Sequence, residues 1–141
     1  MTIDDLATYI TANINTHIPT YATPSMPLAA LTADQIYTRN YQLPAKNCTI
    51  FLDPQDETVE PLTMATFAYR LPVEIIVFTQ GETEANLRAK ARAYTYAVLD
   101  CIAVHPDFMT VEARTAFDGV EGKDDIKAAK ITAIFMYEEA I

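Results

Sequence analysis

The sequence predicts an α+β domain with a largely antiparallel sheet, and three observations lead there. Segments 2–18 and 82–104 repeat apolar residues at helical spacing. The runs Leu71–Phe78 and Ile126–Glu138 are instead extended, with side chains turning to opposite faces. The order is helix, strands, helix, strand pair, which separates the helices from a sheet built mainly of hairpins.

The first helix, 2–18, opens with Thr2 and Asp5 at the spacing of a capping box, with Asp standing in for the usual Glu. Asp4 and Asp5 also suit the positive end of the helix dipole. Ile3, Leu6, Ile10, Ile14 and His17 or Ile18 make one stripe, and Pro19 is expected to end the element. His17, at the edge of that stripe, reads as a partly exposed packing residue. Residues 19–35 hold Pro19, Pro24 and Pro27 without periodicity. Connections of that length are uncommon in a compact domain. Two readings stay open: a loop laid across its own core through Tyr21, Met26, Leu28 and Leu31, or an arm gripping a neighbour.

Strands are expected within 36–79, at Ile36–Asn40, Cys48–Leu52 and Met64–Thr79, and Gln80-Gly81 breaks the last. Between the second and third lies DPQDETVEP, residues 53–61, with Asp53, Asp56, Glu57 and Glu60. It lacks the Asp-x-Asp-x-Asp-Gly pattern of a calcium loop and any glycine for its sharp turn, so it reads as a solvated acidic hairpin tip. The helix 82–104 begins with acidic Glu82 and Glu84 and turns Leu87, Ala91, Tyr94, Val98 and Cys101 or Ile102 inward. Arg88, Lys90 and Arg92 form the one basic cluster, read as a solvated face or a subunit contact. His105-Pro106 closes the helix. A strand pair over 109–138 ends the chain, with its turn at 119–125. Its last strand would run about 40 Å at about 3.3 Å per residue, the full width of a domain about 37 Å across. Residues 1–141 read as a single domain.

Composition narrows function further. Half of the 141 residues are hydrophobic, including eight Tyr and six Phe, so a substantial core is available. A net charge of −9 argues against gripping nucleic acid through its phosphates or docking on an anionic membrane. No apolar run reaches the roughly 20 residues of a membrane-spanning helix, and the N-terminus lacks a signal-peptide pattern. A protein made and used in the cytoplasm of its host is expected. Cys48 and Cys101 are too few for a disulfide framework or a zinc site. They read as two buried small residues, with their pairing in an oxidising setting left open.

Catalytic chemistry is not visible. The only imidazoles, His17 and His105, sit at helix ends, and the sole serine, Ser25, lies in the proline-rich loop. The three glycines, Gly81, Gly119 and Gly122, make no phosphate-cradling loop. No catalytic residue, cofactor site or metal site is assigned, and a non-enzymatic role is expected.

The informative feature is coverage. Leu71, Val73, Ile75 and Val77 share one strand face, but the other holds Pro72, Glu74, Ile76 and Phe78. Ile131, Ala133, Phe135 and Tyr137 likewise alternate with Thr132, Ile134 and Met136. Either the first helix covers the second face, or both helices share one face and another copy covers the rest. Rings arise when such a contact is head-to-tail and its rotation closes. Ile76, Phe78, Ile134, Met136, Arg88 and Arg92 are the subunit-contact candidates.

YQLPAKNCTIFLDPQDETVEP, residues 41–61, and YRLPVEIIVFTQGETEANLRAKARAYTYAVLDCI, residues 69–102, carry a resemblance. The first is similar to the Leu-Pro, polar spacer, apolar strand and hairpin tip of the tail-terminator and related neck proteins of long-tailed bacteriophages. The second resembles the strand, short break and helix that follow there. The leading helix and closing strand pair fit as well, although the glycine often found after the tip acids is missing and the proline-rich loop is longer. The resemblance implies a non-catalytic virion protein of the tail or neck, assembled in the host cytoplasm. It would form a homo-oligomeric ring, commonly a hexamer, that ends the tail tube and joins tail to head. Its partners would be the tube protein and a connector or stopper protein, and DNA would pass through without specific binding. Asp53, Asp56, Glu57 and Glu60 are then candidates to line the channel. A head-side connector or adaptor of the neck is the alternative, and a small ligand-binding or enzymatic α+β domain a more distant one.

Overall fold

The computed structural model describes residues 1–38, 47–81, 84–117 and 126–140. The spacer at 41–46, Glu82 and the turn at 119–125 lie outside them. Helix α1 (Ile3–Tyr21) leads through a 3-10 turn (Ala33–Gln35) to β1 (Ile36–Tyr37). Then come β2 (Cys48–Pro54), β3 (Thr58–Pro61), β4 (Thr66–Gln80), α2 (Glu84–Ala103), β5 (Phe108–Phe117) and β6 (Ile126–Ala140). The six strands form one sheet in the order β1-β2-β4-β6-β5, with β3 also paired to β4. Only β1–β2 is parallel among the described pairings, so the α+β class and the closing hairpin are as the sequence predicts.

The capping box forms: Asp5 N–H donates to Thr2 Oγ1 at 3.1 Å and Thr2 N–H to Asp5 Oδ2 at 2.9 Å. That second bond, followed by the Thr2 hydroxyl, holds the Asp5 carboxyl below its ordinary pKa. Pro19 does not stop α1, which continues to Tyr21 and closes with Ala22 N–H on the Pro19 carbonyl at 3.3 Å. A non-proline residue at 19 would donate its N–H to the Asn15 carbonyl, so proline forgoes that one bond within two residues of the helix end.

The segment after α1 lies across its own core. Leu31 is buried, and the Asn15 side chain clamps it by donating to its carbonyl and accepting its N–H, both at 2.8 Å. Tyr94, fully buried on α2, donates its hydroxyl to the Ala29 carbonyl at 2.9 Å and accepts from Asn47 Nδ2. Ala29 and Leu31 are thus tied to the chain's own core, as the loop reading expects.

Residues 53–61 are not a hairpin tip. β2 and β3 both run antiparallel to β4, and between the partners Pro54↔Val73 and Thr58↔Arg70 three residues face two. That extra residue is a bulge in an otherwise continuous edge. Pro72 accounts for it. Its carbonyl accepts Gln55 N–H at 2.8 Å, so the side on which proline lacks a donor faces the bulge. The true tip is Leu62-Thr63-Met64-Ala65, closed by Leu62 and Thr63 N–H on the Thr66 carbonyl.

Both helices pack on the same face of the sheet. Leu6, Ile10, Ile14 and Ile18 of α1 and Tyr94, Val98, Cys101 and Ile102 of α2 join one buried cluster. Its sheet side is Ile50, Leu52, Leu71, Val73, Ile75, Val77, Ile131, Ala133 and Phe135. Gly81 lets the end of β4 come close to α2: a Cβ there would lie 3.1 Å from Leu87 Cδ1. The reading that roofs the far face with α1 is thus overturned. The far face carries a separate small cluster of Phe78, Ile126 and Ala128 with Phe51 and Ile76, to which no helix contributes.

Ile75 is fully buried, whereas Met64 at the tip is 99% exposed. Ile75→Ala is expected to cost about 2–5 kcal/mol and Met64→Ala less than about 0.5 kcal/mol. Urea unfolding of the two variants checks the difference.

Candidate functional site

The groups able to do chemistry are held in packing roles. Cys48 and Cys101 are free and fully buried, and burial pushes both thiols up to about 12, leaving them unreactive near neutrality. His105 sits between two rings, Tyr9 at 4.5 Å and Phe135 at 5.5 Å, both edge-on. Its Nδ1 accepts the Asp107 N–H at 3.0 Å, which requires an unprotonated nitrogen. His17 is half-buried beside fully packed Ile18. Among the described residues no group of three or more His, Cys, Asp or Glu is placed to hold a metal ion. Nor is any described helix long and apolar enough to cross a membrane.

The four acids of 53–61 are divided between the two faces of the sheet. Asp53 pairs with Glu74, and Glu60 with Ala68, on the face away from the helices. Glu57 instead accepts a 2.5 Å hydrogen bond from Tyr137, whose ring stacks on Tyr69 at 5.0 Å and belongs with the helix-side core. Burial first, then the Glu57 carboxylate, pushes the Tyr137 phenol up. Asp56 is exposed in the bulge.

The subunit-contact candidates also separate. Phe78 and Ile134 are buried within the chain at 5% and 0% exposure, so neither offers surface to a partner. Ile76 is half-buried, and Met136 is 40% exposed. Two ion pairs lie across this far face: Lys130 to Glu74 at 3.7 Å, and Arg70 to Glu112 at 3.0 Å. The second links β4 to β5 over intervening β6, at the level of Ile134. Such half-exposed pairs contribute about 1 kcal/mol or less. On α2, Arg88 and Arg92 point outward, while Lys90 turns back to the Gln80 carbonyl at 3.1 Å.

The open apolar surface is therefore elsewhere. Large exposed hydrophobics among the described residues are Val59, Leu62, Met64, Val104, Met109 and Met136. All lie toward one end of the molecule. The hairpin tip is there, β6 finishes beside it with Ala140 against Thr66, and Met136 N–H donates to the Asp107 carbonyl at the α2–β5 turn. At this end α2 stops short, with His105 against Phe135, whereas the start of α1 reaches it, with the Met1 amine 3.9 Å from Glu139. Fifteen paired residues of β4 and β6 extend about 50 Å, whereas the helices of 19 and 20 residues extend about 30 Å. The signal in the sequence was Leu62-Thr63-Met64-Ala65, a turn without Gly, Asn or Pro and with two large apolar residues.

Burial holds the His105 pKa below its ordinary value, with the N-terminal amine adding to the shift and Asp107 partly opposing it. The unfolded chain then binds the proton more readily than the folded one. The stability supplied by neutral His105 is complete above pH about 6.5 and is lost as pH falls below that value. Urea unfolding between about pH 8 and 5 should show this decline. His105→Phe should show a shallower one over the same interval.

No family model matches the chain, and no curated protein matches it in sequence. Among solved structures, a chain of the virion of a native gene transfer agent particle is similar to it with a TM-score of 0.55 at 17% identity. The match covers 93% of this chain and 99% of that one. At that identity the likeness shows a shared fold.

Proposed function

We propose that this chain is a structural component of a phage-like virion, whose copies form a ring that terminates the tail tube and joins tail to head. The observation that carries the reading is the likeness of fold, over nearly the whole length of both chains, to a chain of the gene transfer agent virion. The resemblance read from residues 41–61 and 69–102 points the same way. A structural role also suits a chain that exposes Val59, Leu62 and Met64 at one end while both thiols are buried. A ring suits a subunit whose sheet outruns its own helices, because a neighbour can cover the remainder.

In such a ring Asp53, Asp56 and Glu60 would face the path of the DNA, where carboxylates repel phosphates rather than hold them. Glu57 is occupied by Tyr137 on the other face and is not counted with them. Reversing Asp56 and Glu60 to Lys is expected to slow DNA delivery without preventing ring formation. Unchanged delivery by particles carrying both substitutions would remove the channel role.

Negative-stain imaging tests the main reading. Annular particles that co-purify with tail tubes are the expected result. Rings that instead follow the portal would move the protein to the head side of the neck, as a connector or adaptor. A monomer at every micromolar concentration, alone and with tubes, would overturn the ring.

A further inference from the structure

Toward the tip, where α2 has ended and Met1 lies ahead of α1 beside Glu139, the helix-side face of the sheet continues as a shelf. Val59 pairs with Tyr69, which pairs in turn with Tyr137, and Phe67 lies on the same face one step toward the tip. The Tyr69 and Tyr137 rings are stacked with an interplanar angle of 7°. Val59 is 52% exposed, and the three aromatic rings are only half-buried. Glu57 and Glu139 stand on this face as well: the first accepts from Tyr137, and the second pairs with Phe67 and approaches the N-terminal amine at 3.9 Å. The shelf is thus apolar and aromatic with a negative border.

A surface of opposite character lies on the same chain. Arg88, Arg92 and Tyr96 follow at helical spacing along the outer side of α2, and the Arg114 guanidinium of β5 lies 5.6 Å from the Tyr96 ring centroid. Arg88, Arg92 and Arg114 are all exposed. They are three of the chain's five arginines.

We propose that the shelf of one copy receives the Arg88–Arg92–Tyr96 stripe of α2 from the next copy, with Arg114 alongside. This deepens the ring reading and rests on it. Guanidinium groups stack on tyrosine faces and pair with carboxylates, so Arg92 and Arg114 suit Tyr69, Tyr137 and Glu139. A second copy is the occupant because the complementary surface exists in this sequence. The two surfaces occupy different parts of the subunit, so the contact is head-to-tail, the type that closes into rings.

Two substitutions at exposed positions test it by light scattering: Val59→Asp on the shelf and Arg92→Glu on the stripe. Thermal unfolding confirms that each variant folds. With wild type assembled, each variant alone is expected to need at least about tenfold more protein to assemble. An equimolar mixture of the two restores one intact contact per pair, because one retains the stripe and the other the shelf. It should give a species of about twice the monomer mass that grows no further. Folded variants that assemble like wild type would overturn this contact, leave the ring intact, and assign the shelf to a different protein. Wild type that never assembles would overturn both.

Discussion

The structure is governed by a mismatch of lengths between β4 and β6, paired from Thr66↔Ala140 to Gln80↔Ile126, and the helices packed on them. A strand advances about 3.3 Å per residue and a helix about 1.5 Å, so helices of 19 and 20 residues are only about 60% as long as this 15-residue ribbon. Where they reach, the sheet is sealed by residues such as Ile75, Val77, Ile131 and Phe135, with almost no exposure. Toward the tip, where α2 has ended, Val59 is exposed and Phe67, Tyr69 and Tyr137 are half-buried. One chain thus holds a complete core and an incomplete surface.

The far face meets the problem differently. Among the described residues no helix packs there, yet Phe78, Ile126 and Ile134 are buried. Phe78 and Ile126 shelter in their own small cluster, and Ile134 lies where Arg70 reaches over to Glu112. Alternation of apolar residues on both faces of a strand therefore does not by itself mark a subunit contact. The length of ribbon left without a helix is the better indicator, and it exists only once strands and helices are placed together.

The proposed assembly role fits the way this chain disposes of its reactive side chains. Its titratable groups are absorbed into packing: His105 between rings, both cysteines within the core, and Tyr94 holding the connection after α1. The groups left on the surface are carboxylates, arginines and a few large apolar side chains, which are the materials of contacts between proteins.

Much of the local structure was legible in the chain alone. Thr2 and Asp5 make the expected cap, the stripes of both helices face inward as their spacing requires, and the strands alternate as read. These features follow from hydrogen bonding and periodicity within a few residues. The rest depended on partners distant in sequence. Pro72 creates the bulge at 55–57 only because β2 and β3 lie on the side of β4 where its N–H is missing. Residues 19–35 were ambiguous until Asn15 and Tyr94 were seen to hold them. Both helices share one face because their stripes meet each other as well as the sheet, and a periodic pattern states that a face is buried without stating against what. Sequence determined which side chains seek burial; only the tertiary structure decided which of them find it within one chain.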